Sequence, residues 1–244
     1  MVNFFIILIL HILGDFYLQT SKIAQCKSAS LGASCDECKS CKKNAFFNIK
    51  YILLHTLLYA APFAFLFLMI KWLNVVIILV GLLISHFVID IISCCSNKKF
   101  KHSIVFIADQ ALHISLLWGI CILFDFNGAF AQYEFAIKVV FSVLAITIPS
   151  SVFINKIFHD LYPDSDEGKI FDVGSIIGML ERILVLIFAY FEGFAAIAII
   201  ITIKTWARSG DLQNSDVFRN KYLLGTLASL VLALTVFLVY KLWC

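Results

Sequence analysis

Long apolar runs separated by short polar stretches dominate the chain, at residues 2–20, 47–70, 74–93, 104–125, 133–154, 174–190, 193–206 and 222–243. Crossing a bilayer takes about 20 apolar residues as a helix, and about 17 at the short end. In hydrocarbon, a helix satisfies its own backbone hydrogen bonds, whereas an open strand does not. The pattern predicts an all-α, polytopic transmembrane helical bundle with about eight membrane segments, or seven if 174–206 is one helix. In the eight-segment reading, a tight hairpin falls near Glu192-Gly193, and its second arm is short enough to be re-entrant.

The informative positions are the polar ones inside these runs. Three pairs of ligand-type residues sit four apart: His11 and Asp15, His86 and Asp90, Asp109 and His113. The second run adds His55. Residues four apart share a helix face, so each pair aims two polar heads in one direction. A charge at mid-membrane costs roughly 2.5–3.5 kcal/mol even on the lenient insertion scale, so these groups call for compensation.

Composition places the chain firmly in lipid. Hydrophobic residues make up 61% of the 244 positions, charged residues only 14%, and phenylalanine alone accounts for 24. A soluble domain carries about 25% charged residues. The net charge of +3 says little about partners, and no nucleic-acid partner is evident; its distribution follows topology instead. Basic residues cluster between Lys22 and Lys50, at Lys98-Lys99-Phe100-Lys101, between Lys156 and Arg182, and between Lys204 and Lys221. With eight segments these are alternate loops on one side, which the positive-inside rule makes cytoplasmic. With seven, the Lys204–Lys221 cluster would face outward, so eight is the better count. Both termini then face outward, in a multi-pass membrane protein. The first run holds His11 and Asp15 and lacks a basic leader, so no cleavable signal is expected. Alternating helix direction and alternating ligand position cancel, bringing all seven groups to one depth in the cytoplasmic third of helices one to four.

Imidazole and carboxylate together suit zinc, manganese, iron or nickel. Four histidines and three aspartates exceed what one catalytic ion takes, and match two ions about 3.5–4 Å apart. Taken singly, any of these pairs could instead be a hydrogen-bonded structural pair. As a set, they support a dinuclear site or, alternatively, a proton relay or transport path. Nearby, Gln19 and Gln110 are placed to fix ligand geometry or hold a substrate oxygen. Lys22 is placed to meet an anionic head group, or is an ordinary interfacial lysine. Gly14 allows close approach of another helix or a ligand.

The segment His11-Ile-Leu-Gly14-Asp15-Phe16-Tyr-Leu-Gln19 resembles the opening motif of a bacterial membrane family catalogued as domain of unknown function 3307. The family continues with a histidine in the second helix, a histidine–aspartate pair in the third and Asp-Gln-x-x-His in the fourth. Here these are His55, His86 with Asp90, and Asp109-Gln110-Ala-Leu-His113. Ile177-Gly178-Met-Leu-Glu181-Arg182 and Leu224-Gly225-Thr226 resemble its later stretches. The resemblance implies a membrane protein with no assigned reaction, similar in motif style to membrane metal-dependent hydrolases. The departure is a long, cysteine-rich loop after the first helix.

In that loop Cys26, Cys35, Cys38 and Cys41 form a C-x8-C-x2-C-x2-C arrangement. Such spacing fits a structural zinc or an iron–sulfur cluster, or else reduced, unligated thiols. In the C-terminal half, Glu181, Arg182, Lys204 and Arg208 form either an anion-binding pocket or a structural clamp with interfacial anchors. The acidic turn His159-Asp160-Leu-Tyr-Pro163-Asp164-Ser-Asp166-Glu167 reads as a cation site or, more simply, a solvated loop.

Absences narrow the chemistry. The chain has no His-Glu-x-x-His helix, no Gly-x-Ser-x-Gly elbow and no desaturase histidine boxes, and Val80 stands where a lipid-phosphatase motif needs arginine. What remains is metal-dependent hydrolysis of a lipid-linked or phosphoester substrate. Asp15 or Asp109 would move the proton, and Lys22 or Arg182 would assist with charge. A metal-ion or proton-coupled transporter, and a non-catalytic metal- or redox-sensing module, are the competing readings. The outer halves of helices one to four are closed and apolar, which weighs against a transit path. The expected organisation is a metal-bearing core over residues 1–130, including the loop 21–46, with supporting helices over 131–244. Cysteine-accessibility labelling should place the Lys98–Lys101 turn and the Cys35 loop on the same side of the membrane; labelling from opposite sides would refute the topology.

Overall fold

The computed structural model describes residues 2–28, 45–97, 99–163 and 173–242. Its elements are helices: α1 (Val2–Ile12), α2 (Ser21–Ser28), α3 (Ala45–Ala60), α4 (Trp72–Ser96), α5 (His102–Leu123), α6 (Glu134–Ile146), α7 (Ile148–Leu161), α8 (Val173–Tyr190), α9 (Phe194–Ala207), α10 (Ser209–Asn214) and α11 (Asp216–Leu242). Among the described residues, six helical stretches are long and apolar enough to span a membrane, and Val2–Tyr17 and Phe194–Ala207 are shorter apolar helices. Their outward faces carry residues such as Leu57, Ile84 and Leu123, each more than 60% exposed, as lipid-facing surfaces do. This is a multi-pass, all-α membrane protein.

Several apolar runs are broken internally, each for a local reason. The first run stays α-helical only to Ile12, then widens into a π-helical turn over Leu13–Tyr17, where the Leu18 amide donates to the Leu13 carbonyl at 2.9 Å. The chain then turns, and Thr20 starts α2, its Oγ1 and carbonyl accepting from the amides of Ile23 and Ala24. The run at 47–70 tightens into a 3-10 helix over Ala61–Leu68, because Pro62 lacks the amide that an α-helix needs. Run 174–206 is two helices separated at Phe191–Gly193, with Glu192 at φ 56°.

The chain forms two compact units, residues 1–141 and 142–244. In the first, α4 packs between α3 and α5, α1 lies against α5 and the 3-10 segment, and α2 lies against α3. Phe5, Ile7, Phe63, Leu66 and Leu117 fill its interior. The first half of α6 belongs here: Phe141 meets Phe5 edge-on at 5.2 Å, and the buried Lys138 pairs with Glu134 with its Nζ 5.8 Å from the Phe5 ring centre.

In the second unit α11 packs along α8, and Ile146, Leu186, Ala189 and Phe237 are among its core residues. The expected helix at 133–154 is interrupted at Thr147, since Pro149 cannot donate to Ala145. Each carbonyl freed around the break has a substitute donor. Ser150 Oγ donates to Ala145 O at 2.9 Å, and Thr147 Oγ1 to Val143 O at 2.9 Å and Leu144 O at 3.0 Å. The buried Arg182 gives its Nε to Ile146 O, its Nη2 to Thr147 O and Ser151 Oγ, and its Nη1 to Ser229 Oγ. Glu181 pairs with Lys204, while the exposed Arg208 pairs with Asp211 at 3.1 Å. Four of the five guanidinium N–H groups are spent on protein acceptors, an arrangement that fits the structural clamp. Arg182→Met should destabilise the detergent-solubilised protein by about 3 kcal/mol in chemical unfolding, because it leaves the Ile146 carbonyl without its donor and removes the charged hydrogen bonds to Thr147 O, Ser151 and Ser229. Arg182→Lys should recover only part of this, since an ammonium lacks the planar fork.

Candidate functional site

The π turn at the end of α1 is where the site begins. It carries Gly14 and Asp15, and Gly14 lies directly against α3. A methyl group at Gly14 would come within 2.5 Å of the Tyr59 carbonyl oxygen. That contact brings Asp15 to His55, whose Nε2 donates to Asp15 Oδ1 at 3.0 Å. One helical turn along α3, Tyr59 stacks flat on His86 from α4, with ring centres 3.7 Å apart. His86 and Asp90 share the inner face of α4, and His113 enters from α5 with its ring centre 4.6 Å from that of His86.

All seven residues singled out by spacing therefore meet at one end of the first unit. His11, Asp15, His55, His86, Asp90 and His113 are buried, and Asp109 forms the more open edge, with its side chain 14% exposed.

Two kinds of role separate within the cluster. Gln110 is the connector. Its amide nitrogen donates to Asp15 Oδ2 at 2.9 Å and to Asp109 Oδ2 at 3.1 Å, which leaves its oxygen as an acceptor. His11 Nε2 must then donate to Gln110 Oε1 at 3.2 Å, and His11 Nδ1 accepts from the Tyr59 hydroxyl at 3.3 Å. Both His11 nitrogens are thus used in holding neighbours. Ser93 Oγ donates to the other Asp109 oxygen.

The remaining donor atoms converge. His55 Nε2 lies 3.0 Å from Asp15 Oδ1 and 3.8 Å from Asp90 Oδ2. His86 Nε2 lies 3.9 Å from Asp15 Oδ1 and 3.5 Å from Asp90 Oδ2. A tetrahedral ion with bonds of about 2.0–2.1 Å holds its ligand atoms about 3.3–3.4 Å apart. The four measured separations bracket that value. Among the described residues, His86 Nε2, Asp90 Oδ2 and His113 Nε2 find no hydrogen-bond partner although buried, nor do Nδ1 of His55 and His86. Orphaned buried polar atoms are costly, and three of these face the shared space. Two overlapping sets have the spacing to ligate a metal: Asp15, His55 and His86, and His86, Asp90 and His113. The residues present fit a divalent ion.

Three participants carried no ligand-type signal. Lys27 on α2 reaches Asp90 Oδ1 at 2.6 Å, and its side chain is 17% exposed. Burial alone would lower the Lys27 pKa, but Asp90, Asp15 and Asp109 outweigh it and hold the group above its ordinary value. The ammonium therefore stays charged through the neutral range. Tyr59 and Ser93 are the other two, legible in hindsight as one helical turn from His55 and from Asp90.

Among the described residues, no hydrogen bond or ion pair joins Gln19 or Lys22 to the cluster, and Lys22 is exposed. Cys35, Cys38 and Cys41, the side chain of Cys26, and residues 164–167 of the acidic turn lie outside the described residues. Gly14→Ala should pry the π turn from α3 and cost about 1–3 kcal/mol, read as a lower melting temperature in detergent. An unchanged melting temperature would contradict the close approach.

No curated protein and no solved structure matches the chain. A family model described as "Protein of unknown function (DUF3307)" matches residues 3–144. The match takes in every residue of the His/Asp cluster, and the stretches at 177–182 and 224–226 lie beyond it. Since it covers more than half of the chain, the protein belongs to the DUF3307 family.

Proposed function

We propose that the first unit is a membrane-embedded, divalent-metal-dependent hydrolase of a lipid-linked or phosphoester substrate. The observation that carries this reading is the convergence of His55 Nε2 and His86 Nε2 on Asp15 Oδ1 and Asp90 Oδ2, buried in an apolar bundle. Zinc, manganese or iron suits such a donor set. A bound ion would supply Lewis acidity and lower the pKa of water toward neutrality. His113 and Asp109 extend the ligand field, and Gln110 fixes Asp15 and Asp109 through hydrogen bonds. Asp109 sits at the open edge, oriented by Ser93, where a carboxylate can take up a proton from an incoming water.

A carrier would need polar groups leading onward through the bundle. Beyond the site the interior is filled by Phe5, Ile7, Phe63, Leu66 and Leu117 instead, which favours one-sided access and catalysis over transit. By the positive-inside argument the site end faces the cytoplasm of a bacterial inner membrane. The loop cysteines Cys26, Cys35, Cys38 and Cys41 would hold a separate structural zinc or iron–sulfur cluster.

Elemental mass spectrometry on detergent-purified protein tests this directly. Wild type prepared without chelator should carry divalent metal. The His86→Ala/Asp90→Asn variant should lose the core ion, and Cys35→Ser/Cys38→Ser should lose only the loop metal. Metal-loaded wild type should then release phosphate or acyl product in a screen of lipid and phosphoester substrates. Metal-free wild type would sink the hydrolase reading.

A further inference from the structure

We infer that the centre takes one divalent ion rather than two, and that Lys27 serves as its second cation, so that the site accepts an oxyanion between ion and ammonium. The inference rests on the metal-binding reading above and adds to it a stoichiometry and a ligand class.

Charge balance is the first argument. Asp15, Asp90 and Asp109 bring three negative charges into the bundle. Among the described residues, Lys27 is the ammonium paired with them. The histidines are neutral as ligands, and both His11 nitrogens are engaged by Tyr59 and Gln110. Three carboxylates against one ammonium leave two negative charges, which one divalent ion cancels. A second ion bridged through Asp90 would have to displace the ammonium that already occupies Asp90 Oδ1 at 2.6 Å.

Geometry is the second argument. Asp90 Oδ1 takes the Lys27 ammonium at 2.6 Å, while Asp90 Oδ2 faces His55 Nε2 at 3.8 Å and His86 Nε2 at 3.5 Å. One carboxylate thus spans the ammonium and the ligand quartet, as a bridging carboxylate spans two ions in a two-metal site. Lys27 is positioned from outside the spans. It comes from α2, whose start Thr20 caps, and Cys94 Sγ donates to the Lys27 carbonyl at 3.4 Å. One of the ammonium's three donors is spent on Asp90, leaving two for an incoming group. Lys27 and Asp109 are also the more exposed members of the centre, so an anion entering there meets the ammonium first. An oxyanion is the ligand class that engages a divalent ion and an ammonium together.

The test uses the full chain in detergent, loaded with zinc, in the Cys35→Ser/Cys38→Ser background so that the loop adds no ion. About one zinc per protomer is expected. Two would overturn the inference while leaving the hydrolase reading intact; none would remove both. Inorganic phosphate binding is then measured by calorimetry. Lys27→Ala should keep its zinc and bind phosphate at least about tenfold more weakly, whereas Lys27→Arg should stay within about threefold of the parent. Absent phosphate binding in the parent, unchanged binding in Lys27→Ala, or zinc lost from Lys27→Ala would each overturn the assignment. Competition with phosphatidate in mixed micelles and with glycerol phosphate in water separates a lipid head group from a soluble source. Displacement by either supports the oxyanion class, and displacement by neither contradicts it.

Discussion

Three carboxylates and four imidazoles cluster inside an apolar helical unit, and the rest of that unit is arranged around compensating them. In water each would be solvated at little cost; in a bundle surrounded by lipid each must find a partner or bear a desolvation penalty of several kcal/mol. Lys27 compensates one face of Asp90, while Gln110 and Ser93 compensate Asp15 and Asp109. The donor atoms left over, His86 Nε2 and Asp90 Oδ2 foremost, face one another at 3.5 Å. A cation there turns the least favourable feature of the unit into a set of bonds.

Backbone irregularities serve the same end. The π turn at Leu13–Tyr17 inserts one extra residue per turn, and Gly14 omits the side chain that would otherwise hold α3 away. Together they let Asp15 and His55 touch. The second unit solves a comparable problem by another route. There the helix breaks at Thr147, and hydroxyls from Thr147 and Ser150 with the Arg182 guanidinium take up the freed carbonyls. In both units a departure from regular helix is matched by a polar group aimed at it, as a low-dielectric surrounding demands.

Much of this was legible in residue order. Four-residue spacing put His86 with Asp90 and Asp109 with His113 on common faces, and alternating helix direction predicted that all seven groups would meet at one end. Among the described residues, the eight apolar runs correspond to six helical stretches long enough to span a membrane and two shorter ones, with the separation near Glu192-Gly193 as expected. Spacing did not reveal which groups are donors and which are supports. His11 reads as a ligand by pattern, yet both its nitrogens are committed to Tyr59 and Gln110, a fact set by three helices meeting. Lys27 carried no signal because α2 is a short helix in a lysine-containing stretch, and only its packing against α3 brings it to Asp90. The π turn was invisible for the same reason: Leu-Gly-Asp-Phe-Tyr continues an α-helical pattern, and its widening follows from the contact that Gly14 permits.

The central claim is that His55, His86, Asp15 and Asp90 hold a divalent ion. X-ray absorption at the zinc edge tests it most directly, using zinc-loaded protein in which Cys35→Ser and Cys38→Ser remove the loop thiols. A shell of nitrogen and oxygen neighbours at about 2.0–2.1 Å, with outer scattering from imidazole rings, is the predicted spectrum. A sulfur shell at about 2.3 Å, or no protein-bound zinc at all, would contradict the account.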